Sequence, residues 1–269
     1  MRQVFIDGFG FWSEYMPGWE VAREVLAGRR EAPGEKARRP GPQKLAPAER
    51  RRAPDTVCLA MQCADEAVNA SGQAAADLPC VFASSHGDLP LTDYLCESVV
   101  TDASTMSPTK FHNSVHNAPA GYWTIGAGAH EASTALAAYH STFGAGLLEA
   151  LVLCAAEERP VLFVAYDVAA TGALAEVTSS VGLLAVAMVL SPRFSPATQY
   201  SVDWSLGAET SPGPANLPVT PAALALAGNP LKSCLPFCEA FARGSRAAIE
   251  LSAGPRLSLM IDLQPGKQA

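Results

Sequence analysis

Apolar positions along this 269-residue chain fall into two rhythms. "VFIDGFGFW" (4–12), "LPCVFASSHG" (78–87), "RPVLFVAYD" (159–167) and "VGLLAVAMVLS" (181–191) carry short, nearly continuous apolar runs bounded by Gly, Pro or small polar residues. Each predicts a buried strand, and the third is of the kind found in the middle of a sheet. "WEVAREVLAGRR" (19–30) has apolar residues at 19, 21, 22, 25 and 26, a helical spacing, with Gly28 as its stop. "DTVCLAMQCADEAVNASG" (55–72) predicts an alanine-rich amphipathic helix capped by Asp55 and ended by Gly72. The mixed stretch 107–128 predicts a helix beginning near Pro119. "STFGAGLLEALVLCAAEE" (141–158) is apolar nearly all round, which predicts a helix buried on most sides. The strand over 181–191 and "QYSVDWSLG" (199–207) predict a hairpin turning between Pro192 and Pro196. A helix over 233–244 and two weak strands, 247–251 and 256–262, follow. Strands alternating with buried helices predict one α/β layered domain over 1–269.

Composition narrows the function. Apolar residues make up 49% and charged residues 17%, a globular balance. The net charge of −7 argues against nucleic acid as a partner. The charge is uneven: residues 29–52 hold nine of the nineteen Lys and Arg together with four prolines. That predicts an extended, mobile basic loop, either simply solvated or a landing strip for an acidic partner. The seven cysteines include no C-x-x-C pair and read as reduced, mostly buried thiols. His112 and His116 stand four apart, but no carboxylate follows at a ligand spacing, so no metal is expected. Gly8 and Gly10 begin a dinucleotide fingerprint that Ser13 breaks, and no cofactor is expected. The opening residues lack the apolar core of a secretory signal, and the run 181–190 is short of the ~20 residues that span a bilayer. The expectation is a cytoplasmic protein with no membrane segment.

Candidate chemistry concentrates at "AAYHSTFGAG" (137–146), where His140 and Ser141 stand side by side as the apolar helix begins. Adjacent helical residues point about 100° apart, a poor geometry for a Ser–His dyad.

Ser107, Pro108, Asn117, Ala120, Gly121 and Ile125, followed by the buried helix and the strand "VLFVAYD", reproduce the order S-P…N-x-x-A-G-x-x-x-I…helix…strand. In this the chain resembles the N-terminal half of the β-ketoacyl synthases, the thiolase-fold condensing enzymes, over residues 4–190. In that family the head of the buried helix reads T-A-C-S. Counting forward from Asn117 and back from Val161 places the nucleophile slot on His140. The family's two later histidines are also missing, since the five here are His86, His112, His116, His130 and His140. The resemblance therefore implies a thiolase-like fold with a complete N-terminal half and a truncated C-terminal half, 203–269 being its reduced remnant. It implies a catalytically silent, chain-length-factor-like subunit, similar to the short single-domain kind of aryl polyene or xanthomonadin-type pigment clusters. "PQKLAPAERRRAPDTVCLA", "FHNSVHNAPAGYW" and "STFGAGLLEAL" carry that similarity. The implied partners are a full-length ketosynthase, which would own the thiolate and both histidines, and acyl carrier protein. By position, Lys110, Phe111, His112 and Asn113 would reach the partner's pocket, and Phe143 would lie where an acyl tunnel passes. Two alternatives stay open: a stand-alone acyl-thioester hydrolase or malonyl-ACP decarboxylase using His140, and a protein that only binds acyl carrier protein.

Overall fold

The computed structural model describes residues 2–178, 180–208 and 220–266. Strand β1 (Arg2–Ser13) is followed by the two-residue β2 (Met16–Pro17), α1 (Trp19–Leu26), α2 (Pro47–Arg52) and α3 (Asp55–Ser71). Next come β3 (Cys80–Ala83), α4 (Leu89–Asp102), α5 (Pro108–His112), α6 (Ala118–Ala127), β4 (Ser133–Leu136) and α7 (Thr142–Glu157). The remainder is β5 (Val161–Asp167), α8 (Leu174–Val177), β6 (Leu184–Ser191), β7 (Tyr200–Ala208), α9 (Pro221–Leu224), α10 (Leu235–Arg243), β8 (Ala247–Gly254) and β9 (Leu257–Pro265).

One mixed sheet runs through the chain in the order β4-β3-β5-β6-β1-β7-β9-β8, with β2 paired to the end of β1. β3 is parallel to both β4 and β5, and the other pairings are antiparallel. β5 and β6 are buried at every position because helices cover both faces. The pleat sends Val161, Phe163 and Ala165 into the core under α7 and α10, and Leu162, Val164 and Tyr166 into the core under α3 and α6.

Glycine sets how closely the helices approach. A Cβ at Gly8 would lie 1.9 Å from the Ala67 carbonyl oxygen, and one at Gly10 2.3 Å from that of Cys63. These two residues thus seat α3 on β1, which gives "DGFG" a packing role. On the other face, Gly144 and Gly146 let α7 settle against β8 and β3: their Cβ atoms would meet the Ser252 carbonyl oxygen at 2.1 Å and the Ala83 side chain at 2.7 Å.

Several expectations need correction. β6 and β7 do not form a hairpin, because β1 lies between them and pairs with both. An apolar strand from the start of the chain offers each of them more buried surface than their mutual pairing would. Asp55 is the first residue of α3 rather than its cap, and ion-pairs with Arg39 at 2.9 Å. The helix over 141–158 buries eight of its sixteen residues and exposes Glu149, Val152 and Glu157. Its sequence looks all-round apolar because half-buried Leu148, Leu153 and Ala155 and exposed Val152 and Ala156 lie outside the buried face. Among the described residues, Tyr139–Glu157 is also the one helical stretch long and apolar enough to cross a membrane by length and composition, where 181–190 had drawn attention. Here it packs against the sheet.

The basic segment is also not a loop throughout or free of the body. Residues 47–52 form α2. Upstream, Lys36 pairs with Glu14 at 2.9 Å, Lys44 with Asp65 at 3.1 Å, and Leu45 is buried. The prolines end regular structure, but ionic anchors and Leu45 fasten the strap.

Candidate functional site

The carboxyl ends of the parallel strands β3, β4 and β5 converge on the head of α7. β4 leads through Ala137 and Ala138 into a single 3-10 turn, Tyr139–Ser141, and α7 starts at Thr142. Tyr139 has a left-handed backbone (φ 50°), uncommon for an aromatic residue. Its ring is 61% exposed and lies against the His140 imidazole, with centroids 3.8 Å apart. His140 is exposed. Ser141 turns the other way, its Oγ 2.8 Å from Ser252 Oγ on β8. Thr142 Oγ1 accepts from the Ala138 N–H (3.0 Å) and donates to the Tyr139 carbonyl (2.8 Å). The geometry thus separates the two residues that the sequence sets together.

Behind this turn lies a carboxylate that sequence reasoning missed. Asp167, at the end of β5, is 1% exposed. It accepts from Ser84 Oγ at 2.8 Å and from the Ser85 and His86 N–H groups at 3.0 and 3.3 Å. Burial raises its carboxyl above the usual range even against these donors. The one sequence signal was an acid closing the otherwise apolar run "VLFVAYD".

The segment 107–117 sits beside the sheet edge formed by β4. Ser107 caps α5 through its side chain, and Lys110 Nζ lies 3.4 Å from the Tyr94 ring centroid. Phe111 is 61% exposed. His112 is exposed and borders a cleft of ≈ 550 Å³ together with Lys44, Leu45, Tyr122 and Ile125. Asn113 is buried, its Oδ1 accepting from the Tyr122 hydroxyl at 3.0 Å. His116 points away from His112, Nε2 lying 2.9 Å from the Ser84 carbonyl. Phe143 is buried between the rings of Phe163 (5.7 Å) and Phe237 (6.3 Å). Among the described residues β4 pairs with β3 alone, so its other edge is open there, and Ile125 on neighbouring α6 is 84% exposed.

The family described as β-ketoacyl synthase, N-terminal domain, matches residues 27–249. The chain belongs to that family. Its fold is the α/β, thiolase-like one of the condensing enzymes. A chain from the structure of a ketosynthase (ApeO) in complex with its chain length factor (ApeC) from Xenorhabdus doucetiae is similar at 22% identity, TM-score 0.72, over 97% of this chain and 100% of that one. A chain of the ishigamide ketosynthase/chain length factor matches at 14% identity, TM-score 0.67, over 99% and 100%. One from AntDE:AntF, a type II polyketide synthase acyl-carrier protein in complex with its ketosynthase, matches at 10% identity, TM-score 0.73, over 98% and 99%. No curated protein matches the chain in sequence.

For this β-ketoacyl synthase relative, the location of its thiols matters. Cys154 lies on α7, about four turns beyond His140, and burial pushes its thiol up to about 12. Cys58, Cys63, Cys80, Cys234 and Cys238 are buried as well, and only Cys96 on α4 is exposed. Native protein titrated with a chromogenic disulfide reagent should therefore release one equivalent rapidly, and denatured protein seven. A second fast thiol in the native state would contradict this placement.

Proposed function

We propose that the chain is a catalytically silent, chain-length-factor-like partner of a full-length β-ketoacyl-ACP synthase. It would complete and shape a condensing heterodimer in polyketide or fatty acid biosynthesis of the aryl polyene type. The observation that carries this reading is the head of α7. At His140, the position that the spacing assigns to the family's nucleophile, stands an exposed imidazole, the neighbouring hydroxyl is engaged by β8, and Cys154, the thiol on the same helix, is buried about four turns away. An acyl-imidazole hydrolyses readily and is a poor resting place for a growing chain. The similarity to chains of ketosynthase/chain length factor structures supports the same reading. Lys110, Phe111, His112, Asn113 and Phe143 remain the candidates for the wall or rim of the acyl tunnel.

The test is reconstitution. The chain and the candidate synthase should co-purify after co-expression, and condensation should require the pair. His140→Ala should leave condensation nearly intact with unchanged product length, whereas loss of a working acid–base group costs ~100-fold or more. Phe143→Ala removes a buried ring at a cost of about 3–5 kcal/mol, and in complexes that still assemble it should lengthen the products. A hundredfold loss with His140→Ala would turn the reading toward a catalytic imidazole.

α2 places Arg50, Arg51 and Arg52 in its last turn at the protein surface. Carrier proteins are acidic, so this patch would steer them toward the complex. Reversing all three to Glu should slow carrier-protein association about tenfold at low salt and change little at high salt. An unchanged rate at low salt would leave α2 merely solvated.

A further inference from the structure

Asp167 does more than fill a buried position. Its donors come from one short turn, 84–87, at the end of β3, and Ser84 Oγ both donates to Asp167 and accepts from the Gly87 N–H at 2.9 Å. The turn holds the head of α7 at two points. Ser85 Oγ donates to the Tyr139 carbonyl at 3.1 Å, and the His86 ring meets the Tyr139 ring edge-on at 5.9 Å and 82°. Tyr139 in turn carries His140 against its ring. A continuous set of contacts therefore runs from a buried carboxylate to an exposed imidazole. It passes through a residue whose left-handed backbone needs outside support.

We propose that Asp167 is a positioning residue: by fixing the 84–87 turn it holds Tyr139 in the single arrangement that the partner subunit meets, and the His140 ring reports that arrangement. The second half of this statement rests on the function proposed above, and the first half does not. Asp167 is suited to the task because it is a fixed, four-acceptor anchor, whereas every other member of the path is a turn residue or partly exposed. Asparagine at this position would turn an amide N–H₂ toward backbone donors and release the turn.

The experiment has two arms. In the isolated chain, two-dimensional spectra of the histidine ring C–H groups report the Tyr139 ring current on His140. Tyr139→Ala defines the full loss of that shift. Asp167→Asn should remove most of it, and the double variant should add nothing further. Asp7→Asn is the control, since Asp7 is another buried carboxylate, held by Ser195 and Thr198 beside β1, and should leave the His140 signal in place. If Asp167→Asn does not fold, Ser85→Ala and His86→Leu act on the same path and should each move the signal. In the second arm, affinity for the synthase should fall about tenfold with Asp167→Asn and with Tyr139→Ala, and no further with both, a coupling that independent sites would not show. An unmoved His140 signal in folded Asp167→Asn, or additive losses of affinity, would overturn the proposal. Should the spectra respond as expected while even the wild-type chain binds no synthase, the partner reading fails and the positioning role stands.

Discussion

On the partnership proposed above, a chain carrying Asp in place of Ile125 will fold normally and fail to hold the ketosynthase. Ile125 is 84% exposed on α6, an unusual setting for so apolar a side chain. It borders the ≈ 550 Å³ cleft lined by Leu45, Val115 and Tyr122. Beside α6 runs β4, whose outer edge has no strand partner among the described residues. An open edge and a protruding apolar residue together describe a surface waiting for a second chain. A carboxylate buried there, where the nearby Lys44 is already paired with Asp65, should weaken the complex by about 100-fold or more. Leu206→Asp provides the comparison: Leu206 is 54% exposed on β7, on the far side of the sheet from β4, and should leave affinity unchanged. Sedimentation or calorimetric titration with purified synthase reads the difference. Equal affinity for both variants and wild type would move the interface elsewhere.

The second large effect is on folding. Gly144→Ala and Gly8→Ala each add one methyl group, and each methyl would sit about 2 Å from a backbone carbonyl oxygen, Ser252 and Ala67 respectively. Backbone on both sides cannot move aside as a flexible side chain would, so α7 or α3 must lift off the sheet. Each substitution should cost about 3 kcal/mol or more, a large share of the ~5–15 kcal/mol that holds a domain folded. Gly121→Ala on α6 meets nothing within 4 Å. It should be neutral or stabilising by up to about 1 kcal/mol, because alanine is the better helix former. Urea unfolding of the three variants ranks them, and a folded Gly144→Ala with wild-type stability would refute the close seating of α7.

The sequence and the structure agree where one local pattern decides the outcome. β1, β5, β6, α1, α3 and α7 were visible as apolar runs or helical stripes, and Gly72 ends α3 in a left-handed conformation as its position suggests. The elements that escaped notice obey distant partners. β4 is only Ser133–Leu136 and is a strand because β3 supplies its hydrogen bonds. α4 buries three of its fourteen residues and so shows almost no periodic stripe. At the site, the spacing located His140 at the head of α7. It could not show that Ser141 turns to Ser252, a residue over a hundred positions away, or that Asp167 lies beneath the 84–87 turn. Such contacts follow from strand order, which no short window of sequence contains.

The place of β1 in the sheet has a consequence for how the protein is made. β1 is synthesised well before its two neighbours, β6 and β7, which begin at Leu184 and Tyr200. At ribosomal speeds of about 5–20 residues per second, a twelve-residue strand of largely apolar character waits roughly 10–40 s for the segments that will flank it. During that interval α3 is the earliest element able to shield it, through the contacts that Gly8 and Gly10 permit. The sheet closes only when the ends of a very long loop meet, so its assembly is slow and its nascent form is sticky. The nascent chain is therefore most exposed to aggregation before residue 184 emerges.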